Sequence, residues 1–239
     1  WYFHERSLPP SFKDVAVALL LIALPAALIM QQPDLGTGIL VGAAGFTVIL
    51  LAGVYWRWML YAVLAMAAAA PAVWYVLQEY QRQRILTLFD PESDPLGAGW
   101  NTMQATTAIG SGGLLGKGLF QGTQSHLEFL PESQTDFIIA VIGEELGFIG
   151  ILGLLLLYMA IVGRGLIIAS QSQHTFGRLL AGALTLVFFV YLFVNIAMVA
   201  GLLPVVGVPL PLVSYGGTSA ITLLAGFGII MSIRSHKFW

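Results

Sequence analysis

From Leu179 to Ile233 the chain runs for 55 residues without an Asp, Glu, Lys or Arg. In a soluble domain about one residue in four carries a charge. An uncharged run of this length is too long for one membrane-spanning helix and right for two. A polar but uncharged turn at Pro204, Pro209, Pro211 and Ser214 to Gly217 would join them. Shorter uncharged stretches cover 15–33, 35–56, 58–78 and 146–163. Because an ionised group near the bilayer centre costs about 2.5–3.5 kcal/mol, the gaps between charges locate the helices. Six spans are predicted, at 14–31, 35–54, 57–78, 137–163, 176–201 and 216–233. The expected fold is an all-α integral membrane protein, a single transmembrane domain over 1–239 with one long ordered extracytoplasmic loop at 79–136.

Composition agrees with this reading, with 58% apolar and 9% charged residues and a mean hydropathy of +0.86. A net charge of -2 offers no basic excess for nucleic acid. The absence of cysteine excludes a disulfide framework, a thiolate nucleophile and a zinc–cysteine site. The chain opens on Trp1 rather than methionine, and no short signal segment precedes the first apolar run. A preceding portion is therefore expected to be missing.

If the spans alternate, segments 1–13, 55–57, 164–178 and 234–239 share one side and hold seven of the ten basic residues. The positive-inside rule puts both ends of this chain in the cytoplasm and segment 79–136 outside. Tryptophan and tyrosine near span ends, such as Trp56, Trp58, Trp74 and Tyr75, read as an interfacial belt.

Segment 79–136 departs from the membrane pattern. Between Gly97 and Gly122 it holds eight of the 27 glycines. Its apolar residues, among them Leu86, Phe89, Trp100, Ile109 and Phe120, argue against disorder. The run Gly110-Ser-Gly-Gly-Leu-Leu-Gly-Lys-Gly118 is neither a Walker A nor a dinucleotide fingerprint, because the diagnostic positions are missing. What remains is glycine-rich backbone beside Lys117, read either as an anion cradle or as a set of turns.

A sharper signal follows at Leu130-Pro-Glu-Ser-Gln-Thr-Asp-Phe137. Pro131 ends the loop, Ser133 or Thr135 can cap the next helix, and Asp136 falls in its first turn, where the helix dipole favours a carboxylate. Asp136 is then either a plain dipole partner or a functional acid. The same helix carries Glu144 and Glu145 deeper, where ionisable groups face a cavity or a partner. Helical geometry separates Asp136 from Glu144 by about 80° and about 12 Å, so both could line one outward-open cavity. Asp34, after Pro33, is a helix cap or a second acid at the outer boundary. Ser214-Tyr-Gly216-Gly217 opens the last span from outside and offers backbone N–H groups to an anion. Arg82 and Arg84 leave the third span into the same zone. The four histidines, His4, His126, His174 and His236, show no metal-ligand or triad spacing, so base work falls to a carboxylate.

Six motifs carry a resemblance. They are Gln-Pro-Asp-Leu-Gly-Thr at 32–37, Phe-Asp-Pro-Glu-Ser-Asp-Pro-Leu-Gly-Ala-Gly-Trp at 89–100, the glycine run at 108–118, Phe-Leu-Pro-Glu-Ser-Gln-Thr-Asp-Phe at 129–137, Gly-Glu-Glu-Leu-Gly at 143–147 and Pro-Leu-Pro-Leu-Val-Ser-Tyr-Gly-Gly at 209–217. Together they resemble the SEDS family (shape, elongation, division and sporulation), its RodA-like elongation branch more than its FtsW-like division branch. The resemblance implies a family fold of about ten spans, each of about 20 residues, of which these six would be the later ones. It implies a peptidoglycan glycosyltransferase of the bacterial cytoplasmic (inner) membrane. Such an enzyme polymerises lipid II into a nascent glycan strand during cell elongation and releases undecaprenyl pyrophosphate. The essential aspartate of the family motif maps onto Asp136; at Gln134 many relatives have His.

With Asp136 as catalytic base, the candidate substrate-binding residues are Arg82, Arg84, Lys117, Glu132, Asp34, Glu144, Ser214, Gly216 and Gly217. A divalent cation, Mg²⁺ or Mn²⁺, and no organic cofactor would complete the set; the metal ligands are unknown. Beyond membrane lipids, the implied partner is a class B penicillin-binding protein transpeptidase. Two other readings compete. A flippase or transporter of lipid-linked precursors predicts acids along a whole translocation path, whereas here, apart from Glu144 and Glu145, charges cluster at the outer face. A non-catalytic scaffold for a transpeptidase leaves Asp136 and the loop unexplained.

Overall fold

The computed structural model describes residues 1–32, 34–94, 97–123 and 134–235. Among these the chain is all helical. Helices α1 (Phe12–Gln31), α2 (Leu35–Leu51), α3 (Trp56–Val76), α6 (Ile138–Ser170), α7 (Thr175–Val199) and α8 (Gly217–Ser235) fall at the six predicted spans. Two more, α4 (Glu79–Phe89) and α5 (Ala98–Gly112), lie inside the segment expected to be a loop, with a short 3₁₀ turn at Pro91–Ser93 between them. Four helices, α1, α6, α7 and α8, are long and apolar enough to cross a membrane. Their outer faces carry exposed Leu, Ile, Phe and Met in numbers that water would not tolerate and lipid requires.

Local chemistry sets the helix starts. Ser11 and Asp14 form a reciprocal capping box on α1, the Asp14 N–H donating to Ser11 Oγ at 3.4 Å and the Ser11 N–H to Asp14 Oδ2 at 3.2 Å. Arg6 pairs with the same carboxylate at 3.0 Å. Asp34 caps α2, its Oδ1 accepting the Thr37 N–H at 3.0 Å. Helix α6 overruns its predicted end at residue 163, continuing through Arg164 to Ser170. A long basic side chain can keep its charge in water while the helix that carries it continues, so Arg164 ends the uncharged run and not the helix.

The contacts group the chain into two compact units. One comprises Trp1–Arg82, Gly165–Val187 and Phe227–Trp239. It is built on a cluster of Phe3, Ala18, Ile49, Ala52 and Leu179 and a second of Ile168, Ala169, Ala181 and Ile230. The other comprises Gln83–Arg164 and Phe188–Gly226. Its most deeply buried side chains include Phe137, Tyr158, Phe188, Met198, Val208, Leu210, Glu144 and Asn195. Asp136 and most of the candidate site belong to this second unit.

Candidate functional site

Asp136 sits in the turn Gln134–Phe137, just ahead of α6, which begins at Ile138 rather than enclosing Asp136 in its first turn. The turn is held from outside at three successive carbonyls. The Tyr215 N–H donates to Gln134 O at 2.9 Å, Ser214 Oγ donates to Thr135 O, and Asn195 Nδ2 donates to Asp136 O at 2.8 Å. Behind it Phe137 is 1% exposed and anchors the turn in the apolar interior. The backbone under the Asp136 carboxylate is thus fixed by groups from α7 and from the segment that links α7 to α8.

That linking segment is itself tied down. Asn195 Nδ2 also donates to Val208 O at 2.7 Å, the Leu210 N–H donates to Ser214 Oγ at 2.8 Å, and Tyr158 Oη donates to Pro211 O. Gly207 has φ +73°, and a Cβ built on it would lie 3.5 Å from Asp136 Oδ2. The carboxylate therefore stands against a backbone surface with no side chain. Ser214 lies against the Asp136 turn, where its hydroxyl is engaged by Thr135 O and the Leu210 N–H. Gly216 and Gly217 lie at the start of α8, where Gly216 O accepts from the Ala220 N–H at 3.1 Å and from Ser219 Oγ at 3.0 Å.

A second polar cluster forms around Glu144, which is 0% exposed. Its Oε1 accepts from Lys117 Nζ at 2.7 Å, from the Thr123 N–H at 2.7 Å and from Thr123 Oγ1 at 3.1 Å; Lys117 Nζ also donates to Thr123 Oγ1 at 2.8 Å. Glu144 therefore does not face an open cavity as expected, and the Lys117 charge is compensated by it. The reason lies in the backbone. Helix α6 breaks at Gly147 (φ +66°, ψ -165°), and residues 113–118 run along the break. There the Lys117 N–H donates to Glu144 O, the Gly118 N–H to Glu145 O and the Phe148 N–H to Gly113 O, at 2.9–3.0 Å. A Cβ on Gly116 or Gly147 would collide with the facing backbone. The glycine run is thus a backbone-to-backbone dock, the turn reading rather than the anion cradle.

The remaining candidates separate. Arg82 donates from Nε to Trp74 O at 3.0 Å and from Nη2 to Tyr75 O at 2.9 Å, closing the C-terminal end of α3 where the helix dipole favours a cation. Arg82 and Asp34 belong to the first compact unit, Arg84 to the second. Arg84 lines a cavity of about 40 Å³ with Thr102, Gly201, Leu203, Pro204 and Val205. Glu132, together with Pro131, Ser133 and His126, lies outside the described residues. Among the described residues no group of three or more His, Cys, Asp or Glu could hold a metal ion.

Asn195 and Thr123 are absent from the sequence reading. Asn195 carried a usable signal, being the one side-chain amide within the predicted span 176–201. Amides buried in membrane bundles hydrogen-bond across helices. Thr123 meets Glu144 through both its backbone N–H and its hydroxyl, and a single threonine 21 residues away in a loop gives no signal of that.

A family model for FtsW, RodA and SpoVE, described as cell cycle protein, matches residues 1–238. Peptidoglycan glycosyltransferase MrdB of Escherichia coli (strain K12) is 59% identical over 230 residues, 96% of this chain and 62% of that protein. Among solved structures, a chain from a peptidoglycan synthase complex that coordinates polymerization and crosslinking matches with a TM-score of 0.81 and 33% identity. The match covers 98% of this chain and 65% of that one. The crystal structure of Thermus thermophilus rod shape determining protein RodA matches with a TM-score of 0.65 and 26% identity, over 99% of this chain and 61% of that one. This chain spans about three-fifths of the length of the curated relative it matches.

Proposed function

The chain belongs to the FtsW/RodA/SpoVE family of cell cycle proteins, and from that premise we propose that it carries the catalytic end of a peptidoglycan glycosyltransferase. The protein polymerises lipid II into glycan strands during cell elongation. The observation that carries this reading is the turn at Asp136, whose three successive carbonyls are pinned by Tyr215, Ser214 and Asn195. A carboxylate on so fixed a backbone suits a general base, which must be held within reach of the proton it takes.

In the reaction, the 4-hydroxyl of the acceptor sugar attacks the anomeric carbon of an α-linked sugar pyrophosphate from the opposite face. The bond from that carbon to the pyrophosphate oxygen breaks with its electrons, and the hydroxyl proton passes to Asp136. The product linkage is β and the leaving group is undecaprenyl pyrophosphate. Positive charge on that leaving group lowers the barrier. Arg84 is the first candidate for this role, since the cavity it lines is bordered by residues 203–205, and that segment runs on to Gly207 beside Asp136. Mg²⁺ or Mn²⁺ enters this reading as a counter-ion carried by the pyrophosphate, since such ions bind substrate phosphates with few protein ligands. The protein is multi-pass, and we place it in the bacterial inner membrane with the site at the extracytoplasmic face and both ends of this chain in the cytoplasm. A class B penicillin-binding protein is the partner in this reading, as the match to a synthase complex supports.

The test is polymer synthesis from purified lipid II by the full-length protein with its transpeptidase partner, wild type against Asp136→Asn, with thermal unfolding as the control for folding. Loss of polymer with an unchanged melting temperature supports the reading. Wild-type polymer from Asp136→Asn removes Asp136 from the chemistry and overturns it.

A further inference from the structure

We infer that Asn195 is a positioning residue for Asp136, a carboxamide clip that fixes how far the carboxylate stands from the Gly207 backbone. The inference rests on the reading of Asp136 as the base. Asn195 is 0% exposed and spends both N–H bonds of its amide on two carbonyls from separate parts of the chain, Asp136 O at 2.8 Å and Val208 O at 2.7 Å. Both carbonyls belong to backbone next to the carboxylate. One belongs to Asp136 itself, the other to the residue after Gly207, whose Cα side lies against Asp136 Oδ2. A single planar NH₂ group thus sets the spacing of the two backbones between which the carboxylate sits.

The hydrogen-bond inventory fixes the orientation of the amide. With Oδ1 turned toward the two carbonyls, three acceptors would face one another, so only the observed arrangement bonds. The cost of that arrangement is visible, since Asn195 Oδ1 is buried and has no hydrogen-bond partner among the described residues. A buried polar atom left unsatisfied needs an explanation. An apolar residue at 195 would avoid burying Oδ1, but it would release both carbonyls and with them the register of the Asp136 turn. Ser214 and Tyr215 hold the two preceding carbonyls of the same turn, at Thr135 O and Gln134 O. Asn195 alone among them bonds the Asp136 carbonyl.

The experiment uses the full-length protein with its transpeptidase partner and compares wild type, Asn195→Leu, Asn195→Asp and Asp136→Asn for kcat and KM on lipid II and for melting temperature. A misplacement of about 1 Å at a catalytic group costs about a hundredfold in rate. Asn195→Leu is therefore expected to lower kcat by about ten- to a hundredfold, with KM for lipid II within about twofold of wild type. Asn195→Asp is isosteric and, when protonated between two carbonyls, keeps one donor; its kcat is expected to fall between the two. A purely structural role lowers the melting temperature and the active fraction in step, with no graded loss in kcat per folded molecule. Wild-type kcat in both Asn195 variants, or a loss confined to KM or to folding, overturns the inference. If Asp136→Asn is inactive while the Asn195 variants keep wild-type kcat, the clip fails and the polymerase reading stands. If Asp136→Asn keeps wild-type activity, the reading beneath the clip fails as well.

Discussion

Lys117 and Glu144 permit a stability prediction whose asymmetry is set by burial. They form an ion pair at 2.7 Å in which the Glu144 side chain is 0% exposed and that of Lys117 is 28% exposed. Lys117→Met removes the ammonium from a fully buried carboxylate. Breaking a buried pair from that side costs about 3–5 kcal/mol. Glu144→Gln leaves an ammonium that can turn toward water on a flexible stem, while the amide oxygen still accepts from Thr123. Its cost is about 1–3 kcal/mol. The double variant removes both charges of the pair and should resemble Glu144→Gln, because taking out both members of a buried pair costs less than taking out one. Thermal unfolding of the purified protein in detergent tests the order. With about 2–4 °C per kcal/mol for a chain of this length, Lys117→Met should melt roughly 4–8 °C below Glu144→Gln, and adding Glu144→Gln to it should recover most of that gap. Equal losses from the two single variants, or a double variant as unstable as Lys117→Met, would refute the argument that the buried carboxylate dominates.

Three further outcomes are expected. Gly147→Ala places a Cβ at φ +66° into the backbone of residues 114–116 and should cost more than about 2 kcal/mol. Gly153→Ala, in the same helix with nothing within 4 Å of the new methyl, should instead stabilise by about 0.5–1 kcal/mol; melting curves of the two variants decide. Ser214→Ala removes the donor to Thr135 O and the acceptor of the Leu210 N–H, so it should cost about 1–3 kcal/mol and slow polymerisation, measured by melting and by initial rate. Chelation should stop polymer synthesis and Mg²⁺ or Mn²⁺ restore it, while the melting temperature stays constant, as expected of an ion that arrives on the substrate pyrophosphate. A melting temperature that falls on chelation would point instead to a metal held by the protein.

The spans were legible because the bilayer penalises charge so heavily that spacing between charges becomes a ruler. The same ruler failed wherever charge and helix part company. Arg164 ended a prediction but not α6, and α4 and α5 escaped because counting apolar runs cannot see a helix such as Glu79–Phe89, with its two arginines, or Ala98–Gly112, with glycine at 99, 110 and 112. Gly147 looked like an ordinary glycine in a helical pattern. Only the backbone of residues 113–118 laid against it turns that glycine into a break and brings Lys117 to Glu144, 27 residues away.

Asp136 shows the other limit. Its type and place were readable, as an acid at the entry to a membrane helix, but what prepares it is contact with backbone. Three carbonyls receive hydrogen bonds from an N–H, a hydroxyl and an amide, all more than 50 residues downstream. Every residue has a carbonyl, so a sequence cannot mark which ones will be taken. It can mark the donors that have no local use. Asn195 is a costly amide in an apolar span, and Ser214 stands in a proline-rich turn beyond that helix's end. A buried amide whose own helix cannot satisfy it must find acceptors elsewhere in the fold, and here it finds them on both sides of the acid. By this argument an unexplained polar residue in a membrane helix points to the backbone it holds as readily as to a ligand it binds.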